Sequence, residues 1–290
     1  MILVFGSILQ SITLEDDPSS AIGKTSFASQ YSNSVGGKGA LQALSAAKAG
    51  GKTALVGRTG DDELAKHILM RLRKHGVITS GVAKAEHTQT GTSTHITNEG
   101  RTIIALGASE KTTAEQIPEE VISDRSIVLT QSELDMDEIK TMFEIAKDKG
   151  AVTILNLSPK YEVDAETLKL VDYLIAPAAA KEKLGDLSAH THLTTIFLEK
   201  DGSCELRLKT GASSPIPKIS LDNLKWAYPE GTEDAFCGTF AACLYAGLGL
   251  DKALIRSLVA ATLSATKPGG YDSIPYSDDV NETLKAFQQG

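Results

Sequence analysis

The sequence predicts an α/β protein: a mainly parallel central sheet flanked by helices, with a small β lid. Three observations predict it. Short, β-branched apolar runs recur with amphipathic helical stretches between them; two Thr- and Ser-rich regions interrupt that alternation; and the last third reads as successive helices. Repeated strand–helix–strand units cover both faces of their sheet with helices, so their strands read as nearly continuous apolar runs.

The elements follow in order. Residues 2–8 form a first strand, short and without the basic leader of a signal peptide. Residues 12–35 supply the first lid strands. An Ala-rich helix at 39–49 precedes a strand at 53–56. The helix at 61–75 opens on acids and closes on bases, which complements its dipole. Residues 91–107 return to the lid as strands at 92–97 and 102–106, joined by the hairpin turn Asn98-Glu99-Gly100. Strands at 127–130, 152–155, 173–175 and 195–198 alternate with helices at 136–149 and 165–171. Helices at 234–247, 251–266 and 278–288 complete the chain. With no internal repeat or long linker, residues 1–290 read as a single domain.

Composition excludes several function classes. The net charge is −8 with no basic block, which argues against a nucleic-acid partner. The periodic segments are too polar on one face to span a membrane. Cys204, Cys237 and Cys243 have no metal-ligand spacing, and the latter two lie in a small-residue helix as buried thiols. His190 and His192 lack a carboxylate or cysteine partner, so no metal site is expected. The cytoplasm is the expected compartment.

The chemistry concentrates in Gly231-Thr232-Glu233-Asp234, which opens an apolar helix. A helix start presents unpaired N–H groups and a positive dipole end, so this is an anion loop with an acid where glycine is expected. Asp234 is placed to take a proton from a substrate hydroxyl. Glu233 is placed where a transferring phosphate would go.

Further landmarks fall in a fixed order. Gly36-Gly37-Lys38-Gly39-Ala40 precedes a helix, Gly57-Arg58-Thr59-Gly60-Asp61-Asp62 opens the next, and Thr90-Gly91-Thr92 enters the lid. The anion loop follows, then Pro268-Gly269-Gly270-Tyr271-Asp272-Ser273-Ile274-Pro275. This ordered set resembles the ribokinase-like (PfkB-type) carbohydrate kinase family over nearly the whole chain. The resemblance implies a Rossmann-like domain that holds a sugar or nucleoside between lid and sheet. It implies ATP over the strand ends and a homodimer through the lid. The reaction it implies is γ-phosphate transfer from ATP and Mg2+ to a hydroxyl. By position, Asp234 matches the base and Gly231, Thr232 and Glu233 the anion loop. Gly36, Gly37, Lys38 and Glu133 match the substrate side, and Asn156 the nucleotide side. Each also has a plainer reading: Asp234 as a dipole-complementing acid, the glycines as an ordinary turn, Glu133 as a solvated loop acid and Asn156 as a strand-end residue.

The chain also departs from the family pattern. Leu9 and Ser11 stand where an asparagine and an aspartate bind sugar hydroxyls, and Leu41 replaces a further asparagine. On the nucleotide side, Ala176-Pro177-Ala178-Ala179-Ala180-Lys181 replaces an Asn-x-x-Glu, and Phe197-Leu198-Glu199 replaces a Thr-Leu-Gly. Lys181 and Glu199 are therefore the nucleotide-side candidates. Tyr228 replaces an aspartate tied to monovalent-cation binding, so no such ion is expected; with Trp226 it reads as a core or loop aromatic. Losing a cluster of hydrogen-bonding groups costs affinity and discrimination. The resulting expectation is a family member with a degenerate active site. The alternative is an active kinase of unusual specificity with Asp234 as base.

Overall fold

The computed structural model describes residues 1–16, 25, 27–97, 100–187, 190, 192–219 and 226–289. The expected turn at Asn98-Glu99 lies outside the described residues.

A nine-stranded sheet forms the centre. It contains β1 (Ile2–Phe5), β4 (Thr53–Gly60), β5 (Ile78–Ala85), β8 (Ile127–Gln131), β9 (Val152–Asn156) and β10 (Tyr173–Pro177). β11 (Thr194–Leu198), β12 (Cys204–Arg207) and β13 (Ser213–Ile216) complete it. The order is β13-β12-β11-β10-β9-β8-β1-β4-β5. The pairings from β5 to β11 are parallel, while β12 and β13 add an antiparallel hairpin at one edge.

Alternation along each strand sends side chains to two cores. Ile2, Val4, Leu129, Ile154, Ile175 and Ile196 face one. Above them lie α1 (Lys38–Lys48), α2 (Glu63–Lys74), α6 (Thr232–Tyr245) and α7 (Leu250–Ser264). Leu3, Phe5, Val128, Leu155 and Leu174 face the other, against α3 (Met136–Asp148) and α4 (Ala165–Lys169). Short α5 (Lys181–Leu184) and α8 (Gly270–Ser273) and the terminal α9 (Ser277–Gln289) finish the helices. Helices on both faces explain why the inner strands carry apolar residues on both faces.

A second sheet, of order β3-β2-β6-β7, contains β2 (Leu9–Asp16), β3 (Ala28–Gly36), β6 (Thr90–Ile96) and β7 (Arg101–Gly107). It grows from the ends of the first: the expected 2–8 strand stops at Phe5, and residues 6–8 step across to β2. Glycine makes that step possible. A Cβ on Gly39 would lie 2.5 Å from the Gly6 carbonyl carbon and 2.7 Å from the Ser7 nitrogen. Gly39→Ala is therefore expected to lower unfolding free energy by about 1–3 kcal/mol through overpacking. Urea unfolding should show a lower midpoint with an unchanged m-value; an unchanged midpoint would contradict the close approach.

Three strands went unexpected: β5, β12 and β13. The expected 53–56 strand runs on to Gly60, because Arg58, Thr59 and Gly60 pair with Ala83, Lys84 and Ala85 of β5. The 234–247 helix starts two residues earlier, at Thr232, which puts Glu233 and Asp234 in its first turn.

Candidate active site

Strand order reverses between β1 and β8: from β1 the chain feeds β4 on one side, and β8 lies on the other. Such a switch point leaves a crevice at the carboxyl ends of parallel strands. Ser7 follows β1 there, Gln131 and Glu133 end β8, and Asn156 and Ser158 end β9. The N-termini of α1 and α6 close over the same place.

Each helix start depends on one glycine. Gly37 caps α1 at φ 85° and Gly231 caps α6 at φ 82°, both in the left-handed half of backbone space. Glycine is thus retained where the anion loop bends, and Glu233 lies within the helix itself. Among the described residues His87 is the sole non-glycine with positive φ, so Glu233 adds no backbone strain. No side chain caps α6.

The Glu233 carboxylate turns inward, across to α1 and β9. Its Oε2 accepts from Lys38 Nζ at 2.8 Å and Ser158 Oγ at 3.1 Å, and its Oε1 accepts from Asn156 Nδ2 at 2.7 Å. Lys38 Nζ also lies 3.6 Å from Asp234 Oδ1. Glu133, read as either a substrate acid or a solvated one, is buried; its Oε2 accepts from the Ser7 hydroxyl and from the Lys38 backbone N–H at 2.9 Å.

Two carboxamides tie these groups together, and neither was singled out from the sequence. Gln42 Nε2 donates to Asp234 Oδ1 at 2.9 Å and to Asn156 Oδ1 at 2.8 Å, while Gln42 Oε1 accepts from Gln131 Nε2 at 2.8 Å. The signal for Gln42 was its place four residues after Lys38, on one face of an Ala-rich helix. Ser7 and Ser158 carried no signal of their own.

One cation therefore faces three carboxylates. Burial works against the Lys38 charge, but Asp234, Glu233 and Glu133 outweigh it and raise the ammonium above the usual lysine range. Burial also opposes the Glu233 charge, yet Lys38 and the donors from Asn156 and Ser158 hold this carboxyl below the usual range. For Asp234 burial prevails over Lys38, Glu233 adds repulsion, and the carboxyl is pushed up to about 6. The two acids should separate in a carboxyl carbon NMR titration, Asp234 with a midpoint near 6 and Glu233 below its ordinary 4.5. Linkage gives them opposite signs. Asp234 removes stability as pH rises from about 3.8 to about 6, whereas the contribution of Glu233 is lost as pH falls below 4.5 through its folded value. A midpoint for Asp234 below 4 would contradict the assignment.

The remaining sequence candidates lie elsewhere. Ser11 is half-buried on β2, opposite Ser34 and Ser93, and a Cβ on Gly36 would lie 2.9 Å from its Cβ. Leu41 belongs to the core, where a Cβ on Gly270 would lie 3.1 Å from its Cδ1. Thr232 donates its hydroxyl to Pro229 O at 2.9 Å. Lys181 and Glu199 form a separate group: Lys181 Nζ donates to Glu199 at 3.0 Å and Glu205 at 2.8 Å, above the Phe197 ring. Glu199, Ala178 and Ala179 line a cavity of about 850 Å³ beside it. Trp226 packs on Gly202, and Tyr228 is exposed. Among the described residues no helix is long and apolar enough to cross a membrane.

A mainly parallel α/β sheet with a second small sheet and a glycine-capped helix start at the switch point defines a Rossmann-like fold. The pfkB family carbohydrate kinase profile matches residues 1–184. The chain is 26% identical to ribokinase of Bacillus subtilis, over 98% of this chain and 99% of that protein. It is 26% identical to mouse ribokinase, over 96% and 93%. Among solved structures, ribokinase from Thermotoga maritima superposes with a TM-score of 0.85 at 26% identity, covering 98% and 99%. Arabidopsis thaliana ribokinase complexed with ribose and ATP superposes at 0.84 with 23% identity, covering 98% of each chain. The chain belongs to the pfkB family of carbohydrate kinases.

Proposed function

We propose that this chain is a pfkB-family member whose ATP-dependent phosphoryl transfer to a sugar or nucleoside hydroxyl is impaired or lost, because Glu233 supplies its own anion to the site. The observation that carries the reading is the Lys38–Glu233 contact at 2.8 Å. Lys38, Asn156 and Ser158 are side-chain donors suited to phosphate oxygens, and all three engage this carboxylate. On the other side Lys181 is engaged by Glu199 and Glu205. These residues do not fit the phosphates of ATP with its magnesium: a like charge about 5 Å from a phosphate oxygen costs about 3 kcal/mol at an effective dielectric of about 20. In this reading the second sheet is the lid over a small sugar- or nucleoside-like ligand. Its exposed Tyr31, Ile103 and Ile104 are the face of a homodimer.

Two observations favour the alternative, an active kinase of unusual specificity. Asp234 is buried, pushed up to about 6 and oriented by Gln42, and a base with a pKa near the working pH suits proton transfer from a hydroxyl. The uncapped start of α6 leaves its N–H groups for a developing negative charge.

Product formation with magnesium-ATP and a panel of pentoses, hexoses and nucleosides decides between them. The proposal expects very low turnover on all; turnover like that of ordinary sugar kinases on any one overturns it.

A further inference from the structure

We propose that the edge of the central sheet opposite the Lys38–Glu233 site carries a second binding site, for a small oxyanion such as inorganic phosphate or a phosphate monoester. The site is a cavity of about 260 Å³ between the start of β11 and the β12–β13 turn. That is below the size of drug-sized ligand pockets, about 300–1,000 Å³, and suits a small ion or ester.

Its polar lining is basic in an acidic protein. Arg207, Lys209, His190, Thr195 and Thr210 contribute, over Leu187 and Leu193, and no Asp or Glu lines the cavity among the described residues. Arg207 is half-buried, yet neither it nor Lys209 makes an ion pair or side-chain hydrogen bond among the described residues. Glu205, two residues away on β12, feels the Arg207 charge, but its oxygens are held by Lys181 at 2.8 Å and Ser213 at 2.6 Å. A partly buried guanidinium without a hydrogen-bonded partner is costly, and a planar fork of donors matches phosphate geometry. Thr195 is 1% exposed, lines the cavity and stands directly across from Arg207 in the β11–β12 pairing. An oxyanion held there would lie between the Arg207 guanidinium and the Thr195 hydroxyl. Gly211, at φ 85°, sets the tight turn that brings Lys209 and Thr210 to the mouth.

The test is calorimetry and backbone amide NMR of the full chain with inorganic phosphate. Saturable binding is expected, with shifts clustered at residues 193–195 and 207–211. Arg207→Met should weaken it about tenfold or more and Arg207→Lys should restore part of it. Lys209→Met, at an exposed residue, gives a second reading should Arg207→Met fold poorly, and should also weaken binding. Absence of saturable binding overturns the proposal. So does affinity indifferent to Arg207 and Lys209, or shifts confined to Lys38 and the start of α6.

Discussion

Glu233→Gly is expected to raise the affinity for magnesium-ATP by about a hundredfold. The figure follows from removing one like charge about 5 Å from a phosphate oxygen, about 3 kcal/mol at an effective dielectric of about 20. The substitution also frees Lys38 Nζ, Asn156 Nδ2 and Ser158 Oγ, which the carboxylate engages at 2.8, 2.7 and 3.1 Å. Calorimetry on wild type and variant side by side checks it. Tight binding by wild type would support the active-kinase reading. Unchanged or weaker affinity in the variant would mean that the carboxylate is not what keeps nucleotide out. Glu233→Gln separates the two contributions, because it removes the charge and keeps the volume. A gain shared by both variants would be electrostatic, and one confined to glycine steric.

Lys38→Met should be the most destabilising substitution in the site, by about 3–5 kcal/mol at neutral pH, the range for removing one partner of a buried pair. Lys38 and Glu233 side chains are only 17% and 22% exposed, so solvent screens little of the loss. Without the ammonium, Glu233, Asp234 and Glu133 would face one another with no counter-charge. The pH dependence carries a definite sign. Lys38 lowers the Asp234 pKa, so in the variant Asp234 takes up its proton above the wild-type value of about 6, and the deficit should shrink as pH falls towards 6. Denaturant unfolding at pH 7.5 and 5.5 measures both effects. A deficit below about 1 kcal/mol at both would place the pair with exposed surface bridges.

Local chemistry made much of the fold legible before any tertiary contact was known. The inner strands β1, β8, β9, β10 and β11 are β-branched and apolar on both faces because helices cover both faces. The α2 and α3 helices carry their own boundaries, with Asp62 and Asp135 accepting from first-turn N–H groups and bases near their ends. The strands that escaped notice lack such signals. β5 mixes Gly81 and Lys84 into an edge strand, β12 has only four residues, and β13 contains Pro215. Edge strands meet water on one side, which loosens the demand for apolar residues.

The site divides in the same way. Sequence alone determined residue types and their local order: Gly36-Gly37-Lys38 ahead of an Ala-rich helix, and Gly231-Thr232-Glu233-Asp234 opening an apolar one. It also determined that Glu233 stands where the family resemblance implies a glycine in the anion loop. Only the tertiary structure decided where that acid points, since the direction depends on donors from α1 and β9, 195, 77 and 75 residues away in the chain. It likewise decided that Gln42 and Gln131 belong to the site. A buried carboxamide is informative only once its partners are known, and those partners come together at the switch point between β1 and β8.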